Sequence, residues 1–167
     1  MPVKPTTKKT ISDIILDLFR DTFKQGPFKL FREGDPIIFP QSSLPALVIH
    51  EDNTSYDNGP TGHDEILHEI TIQVVFNKKD ELGMPTGEVT LTRTIDDIVQ
   101  ARDSVTGDFK TDTILGVIRR KITLGNISVN NEVTVEKGVI PRSVTLTTEE
   151  AHIRIRVTEL QAIANRS

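Results

Sequence analysis

Alternation of apolar and polar positions marks the clearest strand of the chain, residues 66–77 (ILHEITIQVVFN). The apolar positions recur with a period of two, which predicts a strand with one buried face made of Ile70, Ile72, Val74 and Phe76. A shorter apolar run, residues 46–50, predicts a second strand. Between them we expect a long polar loop, residues 50–65, that returns the chain antiparallel.

The same alternation predicts further strands in the last part of the sequence. Val133 and Val135 alternate with polar residues, and beyond Pro141 a next strand is expected at Ile140, Val144 and Leu146. After a turn at residues 148–150, residues 151–160 predict an amphipathic strand. Its inward face is Ala151, Ile153, Ile155 and Val157, and its outward face is His152, Arg154, Arg156 and Thr158. The outward face is either solvated or meets an acidic partner surface.

Apolar residues recur with the spacing of an α-helix before the first predicted strand. Thr10, with Asp13 three residues later, is typical of a capping box at a helix start. The expected buried stripe is Ile11, Ile14, Ile15, Leu18, Phe19 and Phe23. Gly26 and Pro27 should stop this helix, because glycine leaves the helical conformation easily and proline restricts the residue before it.

Two short helices are expected between the central strand and the last strands. One should begin at Thr94 and end near Asp103, and the other should be capped by Asp112. The shared face of the second would be Ile114, Leu115, Ile118 and Ile122. Positive charge at residues 119–121 suits its last turn.

These patterns predict one α+β domain over residues 11–167, with an N-terminal amphipathic helix and short central helices packed on one face of a mainly antiparallel sheet. Residues 1–10 read as a flexible N-terminal arm. Residues 27–45 read as an extended arm with a turn at residues 34–36, since prolines interrupt it. Its phenylalanines either fill the core beneath the first helix or dock a partner.

The polar segments are the expected places of function. Residues 50–65 and 78–87 are long polar loops, and such loops are commonly functional or ordered by a partner. The candidate interface residues are Phe28, Phe31, Phe39, Tyr56, Asp57, His63, Asp64, Lys78, Lys79, Asp80, Arg154 and Arg156.

Composition narrows the class of protein. The 167 residues contain no cysteine, so disulfides, thiolate metal sites and a cysteine nucleophile are excluded. The formal net charge of -4 argues against a general nucleic-acid binder, which needs a concentrated basic surface. No run approaches the roughly 18 apolar residues of a membrane span, and the first ten residues lack the apolar region of a secretory signal.

Motifs for chemistry are weak. His63, Asp64 and His68 are the best candidates for metal ligands, but the two histidines are five residues apart at a loop-strand junction, unlike the i, i+4 pair of zinc hydrolases. The carboxylates between residues 50 and 65 lack the regular ligand spacing of a calcium loop. No nucleophile elbow, P-loop or dinucleotide fingerprint occurs. We therefore expect no enzyme, no metal and no cofactor.

The order of these elements resembles that of the tail terminator family of long-tailed bacteriophages. The resemblance spans about residues 11–160 and rests on a capped helix, a proline-broken arm, the strands LPALVIHED and ITIQVVFN, short central helices and a final hairpin, VTLTTEEAHIRIRV. It implies a structural virion protein, without catalytic residues, that forms a hexameric ring.

The resemblance also implies partners and a location. Such a ring caps the tail tube at its final length and offers its other face to the head connector, and DNA passes through it without sequence-specific binding. It is assembled in the host cytoplasm and ends in the tail or neck of the virion. The alternatives are another head-tail connector or tail-completion protein, a cytoplasmic binding or adaptor domain, and a hydrolase built on His63, Asp64 and His68.

Overall fold

The computed structural model describes residues 10–34, 40–58, 62–79, 90–120, 122 and 127–162. Within these ranges the chain forms, in order, α1 (Ile11–Thr22), β1 (Leu30–Glu33), β2 (Ala46–Asn58), β3 (His63–Asn77), α2 (Leu91–Gln100), α3 (Ile114–Arg120), β4 (Ile127–Pro141) and β5 (Thr147–Ala162). A single turn of 3-10 helix, Gln41–Ser43, precedes β2.

The strands form one sheet in the order β1-β2-β3-β5-β4. β3 lies at its centre, where Ile72 pairs with Ile49 of β2 on one side and with Ile153 of β5 on the other. Every neighbouring pair is antiparallel except β1 and β2. The predicted α+β class with a mainly antiparallel sheet is confirmed.

The main core lies between the helices and one face of the sheet. Alternate residues of β3 and β5 enter it as predicted, together with the stripe of α1. The capping box of α1 is also confirmed: the Asp13 amide donates to the Thr10 hydroxyl at 3.1 Å, and the Thr10 amide donates to the Asp13 carboxylate at 3.3 Å. α1 ends at Thr22, and Gly26 follows with a φ of 110°, a conformation that favours glycine.

The prediction of a long loop at residues 50–65 is wrong. β2 and β3 continue through this segment as a hairpin, with Tyr56 opposite Ile66 and Asn58 opposite Asp64. Residues 51–58 of β2 are polar on both faces, so hydrophobic alternation disappears there while the backbone hydrogen bonds to β3 continue. One bulge, between Glu51 and Asn53, shifts the register of β2.

The predicted turn at residues 148–150 is also wrong. The chain turns at residues 142–146, where the amides of Arg142 and Ser143 both donate to the carbonyl of Leu146. Val144 is therefore fully exposed instead of lying in a strand, and residues 148–150 belong to β5. The strand predicted at residues 133–136 is the middle of the longer β4.

The remaining differences concern element ends. The cap of α2 is Thr90, four residues before the predicted Thr94: its hydroxyl accepts the amide of Arg93, and the helix runs from Leu91 to Gln100. The predicted cap of α3 was Asp112. Instead, the hydroxyl of the next residue, Thr113, accepts a hydrogen bond from the amide of Gly116. β1 lies in the segment predicted as an extended arm. Residues 1–9 and 80–87 of the predicted arm and loop lie outside the described residues.

Candidate functional site

The β2–β3 hairpin carries four of the predicted interface residues: Tyr56, Asp57, His63 and Asp64. Residues 51–69 contain six carboxylate side chains and no lysine or arginine, so the hairpin is strongly acidic. Tyr56 is 73% exposed, a large fraction for an aromatic side chain. Such an exposed aromatic residue in an acidic surround is typical of an interaction site.

Two acidic residues face each other across this hairpin. Asp57 lies directly opposite Glu65, and like charges in directly opposed cross-strand positions destabilise a strand pair. Both side chains are exposed. The arrangement is unfavourable for this strand pair, and a cation bound between the two carboxylates would relieve it.

His68 anchors the base of the hairpin. Its Nδ1 lies 2.5 Å from a carboxylate oxygen of Glu51 on β2, and its Nε2 lies 3.0 Å from a carboxylate oxygen of Glu159 on β5. The ring therefore links β2, β3 and β5 through these two contacts, so His68 has a structural role.

The face of the sheet opposite the helices holds a shallow groove of about 580 Å³. Arg154 and Arg156 lie in it on β5, as the alternation predicted, and each guanidinium faces a carboxylate: Glu136 at 3.8 Å and Glu69 at 3.5 Å. From Arg154 and Arg156 alone, the sequence predicted a basic surface on this face. The neighbouring acids make it a mixed surface instead.

A second polar cluster on the same face surrounds Glu150. Its carboxylate is buried and accepts hydrogen bonds from the Arg142 guanidinium at 2.6 and 2.8 Å, from His152 at 2.9 Å and from the Thr148 hydroxyl. Burial raises the pKa of Glu150, but the hydrogen bonds from His152, Arg142 and Thr148 outweigh it and lower the pKa to about 2. The sequence pattern predicted a turn at Glu150, whereas this residue lies in β5, so the cluster was not expected.

A third feature was also missed: a groove of about 460 Å³ between α3 and the outer strand β4. Its lining residues are Phe109, Leu115, Ile118, Arg119, Val129, Asn130 and Val133. The guanidinium carbons of Arg102 and Arg119 lie 4.2 and 5.1 Å from the centre of the Phe109 ring. The groove is therefore lined by apolar side chains together with Arg119 and Asn130.

Two acidic side chains, Asp13 of α1 and Glu33 of β1, share a hydrogen bond. This bond lowers the pKa of Asp13 and raises the pKa of Glu33. One proton held between the two carboxyl groups accounts for the opposite directions.

The other predicted interface residues are placed differently. Phe28 is buried in the core, with its ring centre 5.2 Å from that of Phe23 and 6.2 Å from that of Phe76, and Phe31 packs beside it. Lys78 pairs with Glu149 at 3.3 Å, whereas Lys79 is exposed. Phe39 and Asp80 lie outside the described residues.

His63 and His68 do not converge into a metal site. They are five positions apart on one regular strand, so their side chains leave opposite faces of the sheet. Across the described ranges no group of three or more histidine, aspartate or glutamate side chains could hold a metal ion. None of the described helices has the length and apolar character needed to cross a membrane.

No protein-family model matches this chain, and no curated protein shows significant similarity to it.

Proposed function

We propose that the chain is a structural subunit of a bacteriophage virion, which forms a hexameric ring, terminates the tail tube and joins it to the head connector. The proposal starts from the resemblance in element order to the tail terminator family. The capped α1, the long central β3 and the amphipathic β5 on which that resemblance depends are all elements of the fold.

The proposal depends mainly on two unlike surfaces toward opposite edges of the sheet: the acidic β2–β3 hairpin and the groove beside β4. A ring needs a heterologous interface, in which each subunit presents two different surfaces. The acidic hairpin with Tyr56 lies at the β2 side of the sheet, and the groove that contains Arg119 lies at β4. Two such surfaces suit head-to-tail association of identical chains.

The mixed charge of the open sheet face agrees with a passage for DNA. A surface that neutralises many phosphates would hold DNA by releasing counterions. Arg154 and Arg156 lie close to Glu136 and Glu69, which offset their charge. If this face lines the ring, DNA should slide past it without strong binding.

Sedimentation analysis of the purified chain and imaging of particles test the proposal. We expect a closed ring of about six 18.6 kDa subunits and, in particles assembled without the chain, tails that exceed their normal length. A stable monomer at high concentration argues against a ring. Normal-length tails that fail to join heads favour the connector alternative.

A further inference from the structure

We propose that a cavity between α2 and the strands β4 and β5 binds a primary alkylammonium group, the chemical group that ends a lysine side chain. The cavity has a volume of about 200 Å³. Its lining residues are Thr92, Ile95, Lys137, Gly138, Glu149 and Glu150. This inference does not depend on the proposed ring.

A buried carboxylate oxygen without a partner is the first argument. Glu149 is 7% exposed, and its Oε1 accepts hydrogen bonds from the Thr92 hydroxyl at 2.9 Å and from the Lys78 ammonium at 3.3 Å. Its Oε2 is buried and has no hydrogen-bond partner in the described part of the chain. Buried polar atoms are almost always hydrogen-bonded, so this oxygen needs a donor. Because it belongs to a carboxylate, a cationic donor binds it most strongly.

The surroundings of Glu149 are the second argument. Its side chain leaves the sheet toward the helices, because it lies two residues before the core residue Ala151 on β5. Its cross-strand neighbours are Phe76 on β3 and Val139 on β4, so the carboxylate has an apolar side chain on each side. Such surroundings strengthen its attraction for a cation.

The cavity also has room for the alkyl chain of the ligand. One water molecule needs roughly 10 to 15 Å³ of such volume, far less than this cavity offers. Its walls include the core residue Ile95 and also Gly138, where no side chain narrows the space. The ammonium of Lys137 is paired with Asp96 at 2.5 Å, so its charge is offset and does not exclude a second cation.

The number of available oxygens distinguishes an ammonium group from other cations. Arg142 engages both carboxylate oxygens of Glu150, so Oε2 of Glu149 is the remaining carboxylate oxygen among the described lining residues. A calcium ion needs six to eight oxygen ligands. A guanidinium binds best to both oxygens of one carboxylate, and Oε1 of Glu149 is already engaged. An ammonium is a compact point charge that a single oxygen can hold.

Titration of the full chain with n-butylammonium chloride at constant ionic strength tests this site. We expect the backbone amide signals of Gly138 and Glu149 in nitrogen–proton correlation NMR spectra to shift and to saturate at millimolar ligand. Tetramethylammonium has the charge without an N–H donor, and n-butanol has the alkyl chain without the charge. Both control ligands should shift these signals far less. This comparison uses the wild type and does not depend on the folding of a variant.

A matched pair of variants tests the role of the carboxylate. Glu149→Gln keeps the shape of the side chain and removes its charge, so n-butylammonium should bind roughly tenfold more weakly or worse. Glu136→Gln makes the same change on the opposite face of β4, where the side chain is exposed, and should bind like the wild type. Circular dichroism establishes that both variants are folded.

The ammonium group comes either from a free amine or from a lysine of a second copy of this chain. Spectra at rising protein concentration distinguish these sources, since a lysine of another copy shifts the signals of Gly138 and Glu149 without added amine. The proposal is overturned if neither the amine nor the protein concentration moves these signals. Equal responses to n-butylammonium and tetramethylammonium, or unchanged affinity in a folded Glu149→Gln variant, overturn it as well.

Discussion

Arg142 and Glu150 form a buried ion pair whose removal should be costly. The Glu150 side chain is 1% exposed and that of Arg142 is 18% exposed, and two hydrogen bonds join them. Arg142→Met keeps much of the side-chain volume but leaves the carboxylate without its guanidinium. His152 and Thr148 alone cannot balance the charge of a carboxylate removed from water.

The pKa of Glu150 gives the magnitude. A folded pKa of about 2 against an ordinary value of 4.5 corresponds to about 3 kcal/mol of stabilisation by ionised Glu150. Since the folded pKa is lowered, this stabilisation is complete above about pH 5 and is lost as the pH falls toward 2. His152 and Thr148 share this stabilisation with Arg142, but breaking a buried ion pair also leaves an unpaired buried charge, so Arg142→Met should lower the free energy of unfolding by about 3 kcal/mol at pH 7.

Urea denaturation followed by far-ultraviolet circular dichroism measures this change, since the chain has no tryptophan and one tyrosine. The difference between wild type and variant should shrink from pH 7 to pH 3, because protonation of Glu150 removes the unpaired charge. The exposed Arg154→Met is the matched control and should cost about 1 kcal/mol or less. A cost below about 1 kcal/mol for Arg142→Met, or a cost independent of pH, would refute the reasoning.

Three further substitutions test the core, a close approach and a cap. Phe19→Ala empties a fully buried ring position and should lower the free energy of unfolding by about 3 to 5 kcal/mol in urea titrations. Gly116→Ala should lower the free energy of unfolding by about 1 to 3 kcal/mol, because the new methyl group would overlap the carbonyl oxygen of Lys110. In the control Gly138→Ala the methyl group meets no atom within 4 Å, so the free energy of unfolding should hardly change. Thr10→Ala removes the capping box and should lower the thermal midpoint by an amount equivalent to about 1 kcal/mol; an unchanged midpoint would show that the cap is dispensable.

Much of the fold follows from local patterns. The alternation in β3 and β5 predicted their inward faces, since burial of one sheet face imposes a period of two on the sequence. The capping box predicted the start of α1 because both of its hydrogen bonds are made within four consecutive residues. Such signals need no knowledge of distant contacts.

Other features depend on contacts that a single segment cannot reveal. Residues 51–58 of β2 are almost entirely exposed and polar, so this half of the hairpin lacks hydrophobic alternation and resembles a loop in the sequence. Val144 and Leu146 are apolar yet belong to a turn, which the hydroxyl of Ser143 stabilises by accepting the amide of Leu146. The α3–β4 groove brings together Phe109, from the connection between α2 and α3, with residues of α3 and β4, which no single segment of the sequence reveals.

The place of β5 between β3 and β4 also bears on the kinetics of folding. Among the described strands, β4 is hydrogen-bonded to the sheet only through β5. The partner of Ile72 in β5, Ile153, is far from it in sequence. Pairings between distant segments form slowly because the intervening chain must first be closed into a loop. During synthesis on the ribosome, the edge of β3 that pairs with β5 therefore stays unpaired until β5 emerges. β4 can join the sheet only after that.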